Sequence, residues 1–372
     1  MQLATGSYTG DGNDDRSISG VGFQPDLVII KADSTEYAVF STSTMDAGDT
    51  AYFGTQLVNF ANAIQAFEAD GFQIGTDSTV NTNGVDYYYA AFRDNGDDTF
   101  TVGSYTGDGN DDRSISGVGF QPTIVWVKGD TTTTACWRVA ENAGDDTLEF
   151  WSLANVTDRI QALEADGFQI GTDADVNTNG STYHYVAFKD VSGYIETGSY
   201  VGDGNDDRNI TGSGFTPDLV FVKGDRASVG VLCIDTMDAG DSASFRNAAP
   251  TTDIIQALQA NGFQVGTNSS ANNNTTDYYW AAWRAGTTLT CNLANVTHET
   301  GNFSQYDTVV VDGGDLSVDA AAALWGSYGL QCVIDDTTSI YGQVNVTVTG
   351  DDIRFRFMLD PNSLTMASGD GF

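Results

Sequence analysis

Positive charge is scarce in this chain. Its 372 residues hold 15 Lys and Arg against 51 Asp and Glu, a net charge of −36. A nucleic-acid binder needs a basic footprint, so nucleic acid is excluded as a partner, and anionic membrane surfaces are poor ones. Histidine is limited to His184 and His298. No Ser-His-Asp order, Gly-x-Ser-x-Gly elbow or phosphate-binding loop stands out, so the expectation is a protein that is not an enzyme. The four cysteines, Cys136, Cys233, Cys291 and Cys332, form no C-x-x-C, which removes zinc-ribbon and thioredoxin-like readings. Cys291 and Cys332 share the final segment and are the candidate pair for a disulfide; the alternative is four separate buried thiols. There is no run of about eighteen apolar residues, so membrane insertion is not expected. The opening Met1-Gln2-Leu3-Ala4-Thr5-Gly6 lacks the basic and apolar regions of a secretory signal. Export is expected either after removal of a leader or by another route, such as release of an assembled virus particle.

The acidity fits three readings: solubility by self-repulsion, cation binding by clustered carboxylates, and a surface kept hydrated in high salt.

What the chain does have is a repeat. Residues 6–16, Gly-Ser-Tyr-Thr-Gly-Asp-Gly-Asn-Asp-Asp-Arg, return at 103–113 and again at 198–208 with Val201 for Thr. Each copy runs into Gly-Phe-x-Pro, at Gly22, Gly119 and Gly214, then an apolar stretch ending in Lys31, Lys128 or Lys223. Ile-Gln-Ala follows at Ile64, Ile160 and Ile255, then Gly-Phe-Gln at Gly71, Gly167 and Gly262. An aromatic segment closes each copy at residues 87–93, 183–189 and 278–284. A period of roughly 95 residues suits an independent small domain and not a solenoid. The expected division is 1–97, 98–192 and 193–286 for three modules, and 287–372 for a separate final segment.

Within a copy the pattern is β. Leu27-Val28-Ile29-Ile30 and its two counterparts are continuous apolar runs that read as strands buried on both faces. Gly, Asn, Asp and Thr clusters between them supply turns. In the closing segment Tyr87, Tyr89 and Ala91 share one face, and Tyr88, Ala90 and Phe92 the other. These faces are read as packed framework, with a sugar-stacking platform as the sharper alternative. The Ile/Phe spacing of three at residues 61–69 predicts one or two turns of helix stopped by the Asp-Gly that follows. The fold class is all-β: three tandem antiparallel β-sandwich modules, each with one short helix, and a C-terminal jelly-roll-like β-sandwich.

From about Thr287 the repeat stops. Strands are expected around residues 308–311, 330–334, 343–348 and 353–357, with a helical turn at 320–325.

The one chemical signal is Asp11-x-Asn13-x-Asp15, repeated as Asp108, Asn110 and Asp112, and as Asp203, Asn205 and Asp207. Alternate oxygen ligands in a tight loop suit calcium. The loop lacks the Gly at position six and the bidentate Glu at position twelve of an EF-hand, and its composition is also that of a polar hairpin turn. A second acidic turn recurs at residues 45–49, 142–146 and 237–241, and would complete a cation site if folding joined it to the first.

The pattern Gly-Ser-Tyr-Thr-Gly, Gly-Phe-Gln-Pro-Asp-Leu-Val, Gly-Phe-Gln-Ile-Gly and Tyr-x-Ala-Phe resembles a module of tailed-virus structural proteins, found in tail fibres and related adhesive proteins. The resemblance covers residues 4–286. The strand that carries Trp in that pattern does so here only at Trp126. The final segment resembles the start of a laminin-G or concanavalin-like domain, on residues 326–330, 335–338 and 357–366. The resemblance implies a non-enzymatic virion structural protein, a tail fibre, spike or decoration, located on the virion surface or extracellular. Its implied partners are host glycans, other virion or surface proteins, and copies of itself in a homo-oligomer, with a trimer expected. The alternatives are a secreted or cell-surface microbial adhesin or filament subunit, and an accessory region of a carbohydrate-active enzyme.

Overall fold

A computed structural model describes residues 1–285 and four short strands beyond them. The chain divides into two compact units, Met1–Gly286 and Thr287–Phe372.

In the first repeat the elements are β1 (Gln2–Thr9), β2 (Arg16–Ser19), β3 (Leu27–Ala32), β4 (Val39–Thr42), β5 (Ala51–Tyr52), β6 (Ile64–Glu68), β7 (Gly71–Ile74), α1 (Ser78–Asn81) and β8 (Asp86–Arg93). They build a five-stranded antiparallel sheet, β1-β8-β3-β4-β5, and a three-stranded one, β2-β7-β6. The second and third repeats form the same two sheets in the same order. Each repeat is therefore a β-sandwich. Val28, Ile30, Tyr87, Tyr89 and Ala91 of the large sheet pack on Ile18, Phe72 and Ile74 of the small one. Gly71 sits where the two β2–β7 backbones approach: its φ is +145°, and a Cβ there would meet the Ile18 carbonyl oxygen at 1.9 Å.

The expected helix at residues 61–69 is instead strand β6. A bulge between Ile64 and Ala66 inserts one residue, so that Ile64 pairs with Ile74 and Phe67 with Phe72. The bulge resets the alternation, and a spacing of three then places both apolar residues on the sheet's inner side. The short helix lies later, at Ser78–Asn81, where the Asp77 side chain accepts the Thr79 N–H at 2.9 Å.

The repeats are not independent of one another. Leu27, Ile29, Tyr88, Ala90 and Phe92 point to the other face of the large sheet and join the equivalent faces of repeats two and three in one shared core. This core is layered around a pseudo-threefold axis. At one level Phe92, Phe188 and Trp283 meet with ring centroids 5.2, 5.3 and 6.2 Å apart. Next come Ile29, Trp126 and Phe221, all fully buried. At the other level Phe53, Phe150 and Phe245 meet at 4.7 to 4.9 Å. Both faces of the aromatic closing strands are thus packed, one between sheets and one on the axis.

Three of the chain's four lysines tie the ring of repeats together. Lys31 donates to Ala248 O of the third repeat at 2.7 Å, Lys128 to Leu57 O of the first at 3.1 Å, and Lys223 to Leu153 O of the second at 2.7 Å. Each also donates to carbonyls of its own turn, such as Gly129 O at 2.7 Å and Gly224 O at 2.6 Å. Burial pulls each ammonium down to about 8, and the carbonyl cage supplies the acceptors that a buried donor requires.

In the second unit, Thr308–Val310 pairs antiparallel with Tyr341–Gln343, and Leu316–Asp319 with Gly329–Cys332. The expected strand at 353–357, the helical turn at 320–325 and Cys291 lie outside the described residues. Cys136 and Cys233 are buried free thiols.

Candidate functional site

The acidic loop, the strongest chemical signal in the sequence, follows β1 in each repeat. Asp11 Oδ1 accepts the Asn13 N–H at 2.9 Å, and this bond chiefly holds its carboxyl below the usual carboxylate range. Asp11 Oδ2 faces Arg16 Nε at 3.5 Å. Asn81, at the end of α1, accepts from the N–H groups of Asp11 and Gly12 and donates to Asn13 O at 2.7 Å. Asp15 occupies the left-handed region at φ 55°. Gln65 of β6 donates to Asp14 Oδ1 at 2.9 Å. Arg16 donates to Thr9 O at 2.7 Å and lies over the Tyr8 ring, which stacks on Tyr87. The same bonds recur at Asp108, Asn110, Asp112 and Arg113, and at Asp203, Asn205, Asp207 and Arg208. The invariant loop is thus a turn whose polar groups pair with one another and with the helix beside it. Among the described residues, no group of three or more His, Cys, Asp or Glu is arranged to hold a metal ion.

The second acidic turn faces a neighbouring repeat. Burial, then Asp46 of the same turn, then Asp130 of the second repeat, push Asp49 up. Likewise Asp33 is pushed up by burial, then by Asp241 and Asp238 of the third. At the first of these seams His184 Nε2 lies 3.0 Å from Asp130 Oδ1, and Nδ1 lies 3.3 Å from Thr44 Oγ1. Sister repeats carry Tyr88 and Tyr279 at this position, so His184 is a seam residue.

Sequence reading missed one buried charge cluster. Arg159 pairs with Glu149, with Asp173 at 3.2 Å and with Asp175 at 2.7 Å, and Asp175 accepts the Thr134 N–H at 2.9 Å. Burial pushes Glu149 and Asp175 up, while Arg159 opposes the shift. The signal was present in the repeat comparison. Where repeat two has Arg159, Glu149 and Asp175, repeat one has Ala63, Tyr52 and Thr79, and repeat three has Ile254, Ser244 and Ser270. One cation and two carboxylates enter together in one copy, so neither buried carboxylate is left without a counter-charge.

A last feature lies at the Phe53 end of the axis. The loops after Phe53, Phe150 and Phe245 gather there, with Gly54 against the Phe245–Arg246 backbone and Gly230 against Phe150. Residues 53–67, 150–157 and 242–252 contain no Asp or Glu. β1 runs toward the same end, since Thr9 pairs with Asp86 and the Asp33 N–H donates to Asp86 O. The acidic loops therefore stand around this pole.

No curated protein matches the chain. A family model described as a domain of unknown function, DUF7483, matches it three times, over residues 2–104, 94–190 and 190–304. The three matches follow the three structural repeats and take in most of the chain, which therefore belongs to the DUF7483 family and carries its domain in three tandem copies.

Proposed function

We propose that the chain is a non-enzymatic structural protein displayed on a virion, as part of a tail fibre, spike or surface decoration. The observation that carries this reading is where the repeated polar residues are used. Asp11, Asn81, Arg16, Gln65 and their counterparts bind one another, and the repeated lysines clamp repeat to repeat. Residues kept for architecture in all three copies suit a display scaffold. In this reading residues 287–372 begin a laminin-G or concanavalin-like domain that recognises host glycans, each site weakly and several together. The loop carboxylates are already paired with backbone N–H groups and with Arg16, so calcium enters this reading only as the variable that the glycan assay controls.

Immunogold labelling with antibodies to the chain tests it. Gold on purified particles supports the virion role, whereas gold confined to the cell surface favours the adhesin. Glycan-array binding by the full chain, with and without calcium, tests attachment; binding unaffected by chelation removes calcium from the account.

A further inference from the structure

The acid-free pole has the composition of an interface. Four large apolar residues are exposed among the described residues, and three of them stand here: Leu57 at 43%, Val58 at 49% and Leu153 at 42%. Leu57 and Leu153 hold equivalent places, since the carbonyl of each receives the lysine of a neighbouring repeat; Ala248 is the third. Half-buried Trp151 and Pro250 lie in the same loops. On a chain of net charge −36, three loops whose one charged residue is the exposed Arg246 are a local depletion of charge, which marks the centre of a protein interface. Beside the loops stand Asp33, Asp130 and Asp225, one per repeat; Asn59 donates to Asp130 at 2.7 Å and the Asn155 N–H to Asp225 at 2.8 Å.

We propose that this pole seats the end of a homotrimeric protein element with an apolar centre and a basic rim. Symmetry argues for a trimeric occupant: three loops at equivalent places around an axis, two of them carrying an exposed Leu and the third Ala248, are met at all three places only by a partner that repeats three times. Charge argues for its rim, because three carboxylates surround an apolar middle. Charge also argues against a second copy of this chain, which would bring two strongly acidic rims together. The docking surface rests on the symmetry and charge of the pole, separately from any glycan recognition.

The test is anisotropy binding of the full chain to a labelled three-stranded coiled-coil peptide, with Ile at a and d, an exposed terminal Leu on each strand and a ring of Lys behind it. Its controls are the same peptide with Glu for Lys and a two-stranded version. The Lys-rimmed trimer is expected to bind at least roughly tenfold more tightly than either control, and the double variant Leu57→Ser, Leu153→Ser to lose roughly tenfold while its circular dichroism stays unchanged. Equal binding of all three peptides, no binding, or binding untouched by the double variant overturns the proposal. So does sedimentation showing a dimer of the chain that the double variant dissolves, which would assign the pole to a second copy.

Discussion

A lysine that is fully buried needs an acceptor for every proton it carries. Lys128 meets that need with Leu57 O, Gly129 O and Thr131 O and with Thr133 Oγ1, three within its own turn and one across the seam. The recurrence of Lys31, Lys128 and Lys223 at the end of an apolar run was plain in the sequence. Their role was not, because a sequence does not say which distant carbonyl a side chain reaches. Lys128→Met keeps the apolar stem and leaves these acceptors unpaired. It is expected to lower the unfolding free energy by about 1–3 kcal/mol in urea titration. The acidic turn shows the opposite balance: its composition made turn geometry legible, and the bonds from Asn81 and Gln65 came only with the fold.

At the scale of the element, an uninterrupted apolar run carries a demand for layers on both of its faces. The run Leu27-Val28-Ile29-Ile30 has no alternation, and strand β3 is buried along its whole length. A two-layer sandwich covers only one face of each sheet. The second apolar face of β3 therefore already required a third layer, and the other two repeats provide it. The strand β6 was harder to read, because a bulge imitates a helical spacing. The Arg159 cluster shows how one repeat departs from its sisters at a shared position. Arg159→Met leaves Glu149 and Asp175 buried without their cation. The variant is expected to lose about 3–5 kcal/mol, measured by calorimetry. A paired Glu149→Gln, Asp175→Asn change is expected to restore part of that loss.

At the scale of the molecule, the charge balance sets the response to pH. Asp33, Asp49, Glu141, Asp190 and Asp218 are all pushed up, in each case chiefly by burial. A carboxyl whose folded value lies above its unfolded one binds more protons when folded. Its stabilising contribution is complete below the unfolded value and is lost as pH rises through the folded one. The melting temperature is therefore expected to rise as pH falls from 7 to 5, and added salt at pH 7 is expected to raise it as well by screening repulsion. Below that window the trend reverses, because Asp11, Asp108 and Asp203 are held low and their bonds are lost on protonation.

The shared core makes the three repeats one cooperative body. Phe53 belongs to repeat one but touches Phe150 and Phe245. Hydrogen exchange on Phe53→Ala reads this directly. Truncation of a buried Phe costs about 3–5 kcal/mol. The account predicts that amides in Leu27–Ala32, Ile124–Gly129 and Leu219–Gly224 all lose protection together. Loss confined to the strands of the first repeat, with the other two exchanging as before, would contradict it.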